Sequence, residues 1–180
     1  MTSAADRELL LSIARHAIAA HVGAQAPFAA DKRDVLSRQA GVFVSIHRRG
    51  DLRGCIGHIS ACLPLVETVK DAALASAFND PRFPALTAAE WPHVSIEISV
   101  LSRFELAADP SCVSVGIHGV MIRSGRHSGL LLPQVATEYG WDRETFLGQA
   151  CRKAGLPEDA WRGPGTTIET FTATVFHEPE

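Results

Sequence analysis

The sequence predicts an α+β fold with a mainly antiparallel sheet flanked by helices. Three observations carry this: hairpin signals at two places, a clean period-two strand between them, and only three well-capped helical stretches. An alternating strand and helix rhythm, which a parallel doubly wound sheet would need, is absent. The chain has 180 residues, 46% hydrophobic and 21% charged, so it is expected to form a single domain over residues 1–180 and to bury about 70% of its unfolded surface.

Ser3 and Asp6 have the spacing of a capping box, and Leu9, Ile13, Ala17 and His21 then share a helical face that stops near Gly23. After a loop with Pro27 and a turn expected over Asp34 to Arg38, Gly41 to Ile46 reads as a strand. Arg48 to Asp51 turns the chain, and Leu52 to Ile59 returns as its partner. Pro64 suits a first helical position, with Leu65, Val69, Ala72 and Ser76 on one face up to Phe78. The helix must end by Asp80, because Pro81 disfavours a helical residue before it.

Val94, Ile96, Ile98 and Val100 alternate with Ser95, Glu97 and Ser99, which puts Glu97 on the polar face of a strand. Val113 to Ile122 and Gly129 to Leu132 are expected to pair around Arg123 to Arg126. Asp142 caps a helix showing Phe146, Leu147, Ala150 and Ala154, with Trp141 and Phe146 spaced as a hydrophobic staple and Gly155 as its stop. Thr167 to Phe176 reads as one long closing strand.

Seventeen basic and 20 acidic residues give a formal charge of −3, which lacks the positive footprint of a nucleic-acid binder. No apolar run is long enough to span a bilayer and no basic leader precedes Leu9, so the expected location is the cytoplasm. Four widely spaced cysteines, Cys55, Cys62, Cys112 and Cys151, are then expected to be reduced thiols.

The densest chemical candidate is Leu52-Arg53-Gly54-Cys55-Ile56-Gly57-His58. Gly54 and Gly57 inside a strand pattern signal close approach of another backbone or a ligand. Arg53, two residues from Cys55 on the same expected face, could stabilise a thiolate. Most free cysteines, by contrast, are small buried hydrophobes. Cys55, His58 and Cys62 have a spacing that suggests metal, but Cys55 and His58 project to opposite faces of a strand and a fourth ligand is missing, so no metal or other cofactor is expected. A Cys55, His118 and Glu97 constellation can be written as nucleophile, base and orienter. Arg48, Arg49, Arg123 and Arg126, with His47 and His127, sit at the two expected hairpin tips. Solvated turns are their simplest explanation.

The sequence resembles the AMMECR family. The resemblance is carried by Leu52 to Gly57, Asn79-Asp80-Pro81-Arg82-Phe83-Pro84, Ser95 to Ser102, His118-Gly119-Val120, Leu131 to Val135 and Lys153 to Leu156, in order across nearly the whole chain. Ala85 and Arg103 stand where many members carry proline. The short form is similar to the bacterial and archaeal members of the AmmeMemoRadiSam system. That resemblance implies a larger lobe built on an antiparallel sheet with helices, a smaller lobe, and two partners: a MEMO-type protein and a radical SAM enzyme. It also draws Arg53, Gly54, Gly57, Asp80 and Arg82 together as a candidate substrate- or partner-binding set beside Cys55, Glu97 and His118. The family has no settled activity, so an enzyme and a non-enzymatic adaptor both remain open.

Overall fold

The structure, a computed structural model, describes residues 3–24, 37–59 and 62–178. The fold is α+β. The chain forms two compact units, Met1–Leu101 with Thr174–Glu180, and Ser102–Ala173.

In the first unit, α1 (Ala4–His21) begins at the expected capping box: the Ser3 side chain takes the Asp6 N–H and the Asp6 carboxylate takes the Ser3 N–H. Strands β1 (Val42–Arg48) and β2 (Asp51–His58) make an antiparallel hairpin. Arg49 and Gly50 between them both have positive φ, 55° and 86°, the two-residue turn whose twist matches that of the strands. α2 (Leu65–Phe78) follows, and β3 (Val94–Leu101) pairs antiparallel with the other side of β1. The turn expected over Asp34 to Arg38 falls largely outside the described residues.

The second unit carries β4 (Glu105–Leu106), β5 (Gly119–Ser124), β6 (His127–Leu131), α3 (Pro133–Glu138), α4 (Arg143–Lys153) and β7 (Thr166–Phe171). Its sheet runs β4-β7-β5-β6, and the first unit's sheet runs β2-β1-β3-β8, with β8 at Ala173–His177. Three expectations change here. The strand expected from Val113 starts only at Gly119, because residues 114–118 form a turn closed by the Ile117 and His118 amides on the Ser114 carbonyl. A six-residue helix stands at Pro133–Glu138, where no element is expected. The long closing strand breaks at Thr172, and its two halves belong to different sheets.

Each unit has its own core. Val42, Val44, Ile46, Ile96 and Ile98 face α1 and α2 through Leu10, Ile13, Val69 and Ala72. Val120, Ile122 and Ile168 meet Phe146, Leu147 and Ala150 of α4. Arg15 joins α1 to the end of the described chain. It pairs with Glu178, donates to the Val94 carbonyl at 2.8 Å, and lies 4.4 Å from the Trp91 ring centre.

α2 lies unusually close to β2. A Cβ on Gly54 would stand 2.1 Å from the Ser76 carbonyl oxygen, a contact no side chain tolerates. At the same point the Ser76 hydroxyl enters the hairpin ladder. It accepts the Ile56 N–H at 2.8 Å, and its single proton is shared between the Val44 and Ala72 carbonyls, each 2.7 Å away. Gly54→Ala is therefore expected to destabilise the protein by about 3 kcal/mol, the upper end for overpacking. Gly163→Ala, where a Cβ would make an ordinary 3.4 Å contact, should change stability by no more than about 0.5 kcal/mol. Urea midpoints followed by circular dichroism distinguish the two, and equal midpoints would contradict the close approach.

Candidate functional site

β2 is an edge strand, so the Cys55 N–H and C=O on its outer side have no strand to pair with. Asp80, just beyond the end of α2, supplies the missing acceptor: its Oδ2 takes the Cys55 N–H at 2.8 Å. Arg82 supplies the missing donor, reaching the Cys55 carbonyl from Nη2 at 3.2 Å. The same guanidinium grips Asp80 with two bonds, Nε to Oδ1 at 3.0 Å and Nη2 to Oδ2 at 2.7 Å, and the Arg82 N–H adds a bond to Oδ1 at 3.0 Å. Asp80 is only 4% exposed. A buried carboxylate is tolerable when its lone pairs are filled. The Arg82 side chain, more than desolvation can oppose, holds the Asp80 carboxyl well below the usual range, helped by the Cys55 and Arg82 amides.

Arg53 leaves this arrangement. The hairpin register slips at Ile46/His47, where Ile46 faces Gly54 and His47 faces Leu52, so Arg53 is the bulged residue. Its guanidinium is engaged by Glu90, with Nε to Oε1 at 3.0 Å and Nη2 to Oε2 at 3.2 Å, and Arg48 joins the same carboxylate at 3.2 Å. Arg53 and Arg82 approach the Phe83 ring at 5.9 and 5.5 Å. The Arg53 bond, outweighing desolvation, brings the Glu90 carboxyl down to about 2. Thr87 supports it with its N–H and hydroxyl at 3.1 and 3.0 Å.

With its backbone held on the edge side, Cys55 presents its half-buried side chain on the sheet face away from α1 and α2. There Ser45 is its cross-strand neighbour, and the Ser45 hydroxyl donates to Cys55 Sγ at 3.3 Å. Ser45 is in turn opposite Glu97 on β3. A thiol, a hydroxyl and a carboxylate thus form one row across three strands. Gly57 lies on the same face, and a Cβ there would stand 2.4 Å from both the Phe43 ring and the Val42 carbonyl.

Of the residues expected from sequence, Cys55, Gly54, Gly57, Asp80, Arg82 and Glu97 all surround the β2 strand or share its open face. Arg53 stands beside them with its charge matched by Glu90. His118 belongs to the second unit, where its Nδ1 takes the Ser114 N–H at 3.2 Å and lies 3.1 Å from the Cys112 carbonyl. His58 binds Asp71 through Nε2 at 2.6 Å, away from the thiol face. Among the described residues, no group of three or more histidine, cysteine or acidic side chains is arranged to hold a metal.

Sequence reasoning missed Ser45, Ser76 and Glu90. Ser45 is the polar position in the apolar run Val42 to Ile46. Thr87 and Glu90 have capping-box spacing, and the box forms.

The AMMECR1 family model matches residues 11–176. The chain belongs to the AMMECR1 family. Among AMMECR1 relatives, a Methanothermobacter thermautotrophicus protein is 42% identical over 94% of this chain and 92% of its own length. A Thermococcus kodakarensis protein is 41% identical over 95% and 89%. The crystal structure of an uncharacterized Pyrococcus horikoshii protein superposes with a TM-score of 0.86 at 39% identity, covering 95% of this chain and 90% of that one.

Both Asp80 and Glu90 ionise more readily folded than unfolded, so each stabilises the protein above the ordinary carboxylate range and loses that contribution as pH falls through its folded value. Stability should therefore decline from about pH 4.5 toward pH 2. Arg82→Ala leaves Asp80 buried without its cation and is expected to cost about 2 kcal/mol at pH 7, moderated because half of the arginine is wet. That cost should shrink at pH 3, where the orphaned carboxyl is protonated. Urea midpoints of both proteins at pH 7 and pH 3 check this, and a cost independent of pH would contradict it.

Proposed function

We propose that the Cys55 face of the first sheet is the working surface of a modification-pathway component operating in the cytoplasm with a MEMO-type protein and a radical SAM enzyme. Cys55 serves there as a nucleophilic thiol or transient covalent carrier. The observation that carries this reading is the division of labour at one residue. The Cys55 backbone is held by Asp80 and Arg82 on one side, while its sulfur stands on the other with a hydroxyl donor at 3.3 Å. The hydroxyl gives the sulfur a hydrogen-bond partner on the open face and fixes its direction there. Fixing the main chain removes the freedom that would otherwise be lost on reaction. No described helix is long and apolar enough to cross a membrane, and reduced thiols suit a cytoplasmic site.

One observation favours an adaptor instead: Arg53, the cation expected to activate the thiol, is matched by Glu90. In that reading Cys55 only packs, and surface changes at Arg82 or Arg126 break partner capture.

Iodoacetamide labelling with peptide mapping separates the readings, because the other cysteines are internal standards. Cys62 and Cys112 are exposed, and Cys151 is buried, its thiol pushed up by desolvation. Cys55 is expected to label in the folded protein alongside Cys62 and Cys112, more slowly in Ser45→Ala, and Cys55→Ser should abolish pathway function. Labelling of Cys55 only on unfolding, as for Cys151, together with a fully functional Cys55→Ser, would overturn the enzymatic reading.

A further inference from the structure

The row across β2, β1 and β3 ends in a carboxylate. Glu97 is half-buried, and among the described residues it has neither a hydrogen bond nor an ion pair. Its neighbours along the strand differ sharply: Ser99 on the same face is 2% exposed, whereas Ser95 is open to solvent. Glu97 therefore stands where the covered part of this face gives way to the open part. A carboxylate that no cation among the described residues matches attracts an incoming cation unopposed.

The other charges near the row are matched. Arg48 and Arg53 share Glu90, and Arg82 is bonded twice to Asp80. His47 lies on the same face of β1, opposite Ser95. Between Cys55 and Glu97 there is only Ser45, cross-strand neighbour to both. Two inter-strand spacings put the sulfur and the carboxylate about 10 Å apart, a span that a small ligand or one extended side chain covers.

We infer that the ligand of this site carries a cationic group, an amine or a guanidinium, which seats on Glu97 while the reacting atom lies over Cys55. The inference rests on the reading of the Cys55 face as the working surface. Glu97 is then a specificity residue, and Ser45 fills the gap between the charge and the thiol. The charge on Glu97 attracts the correct partner and repels anionic electrophiles from the same thiol.

Methanethiosulfonate reagents test this on the full-length protein. The thiolate attacks the sulfenyl sulfur, a mixed disulfide forms, and methanesulfinate leaves with the bond's electron pair. Rates at Cys55 are measured at low ionic strength with the neutral methyl reagent, the cationic trimethylammonium-ethyl reagent and the anionic sulfonatoethyl reagent, taking exposed Cys62 and Cys112 as references. A unit charge about 10 Å away in a water-like dielectric speeds the cation and slows the anion by about twofold each, so the cation-to-anion ratio at Cys55 should exceed the reference ratio by about fourfold. Glu97→Gln should return it to the reference value, Glu97→Asp should keep it, and 1 M salt should suppress it. If the neutral reagent labels Cys55 but the ratio equals the reference, or survives in Glu97→Gln, the cationic ligand is wrong and the thiol site stands. If the neutral reagent fails to label Cys55 in the folded protein, the thiol site falls and the cationic ligand with it.

Discussion

The first unit is organised around one buried carboxylate. Asp80 accepts from the Cys55 amide, from its neighbour Arg82's amide, and from two nitrogens of the Arg82 guanidinium, while Arg82 also reaches the Cys55 carbonyl. An ionised group buried to this degree is stable only if those donors are all in place. The pair mimics what an added strand would offer, an acceptor and a donor at one residue. It thereby closes the free edge of β2 at its centre, where an unpaired edge would invite another chain. The two short segments Leu52 to Gly57 and Asn79 to Pro84 are separated in sequence, yet this carboxylate makes them one physical object.

That contact constrains everything near it. Asp80 can reach the Cys55 amide because α2 ends at Phe78, directly above β2. α2 can lie that close because position 54 has no side chain and the Ser76 hydroxyl replaces a direct bond in the hairpin ladder. With the core side and the edge side both committed, the Cys55 side chain has only the open face, where Ser45 and Glu97 lie in register. The polar row is thus a consequence of how the helix and the hairpin lock together.

Much of this was legible in the residues. The alternation from Val94 to Val100 puts Glu97 on the polar face, and that is where it stands. Gly54 and Gly57 signal close approach, and each meets backbone or ring atoms. Arg53 departs from its expected place for a physical reason. Period-two reasoning puts it beside Cys55, but the bulge at its position releases it to Glu90, 37 positions away, which no local pattern encodes. Thr167 to Phe176 departs from the single expected strand in a similar way. Its composition suits a strand throughout, yet strand propensity says nothing about which sheet a residue joins, and the chain changes sheets at Thr172. Ser76 shares the buried face of α2 with apolar residues, and only the ladder it enters explains a hydroxyl there.

The most direct test of the central contact is amide hydrogen exchange at Cys55, followed by NMR. An edge-strand amide facing solvent exchanges readily, whereas one held by a buried carboxylate exchanges only when the structure opens. The Cys55 amide should be protected as strongly as amides of the central strand β1. In Asp80→Asn, which keeps the shape but removes the charge, that protection should fall while β1 stays protected. Fast exchange at Cys55 in the unaltered protein, at the rate of a free edge, would show that Asp80 does not hold this strand and would undo the account built on it.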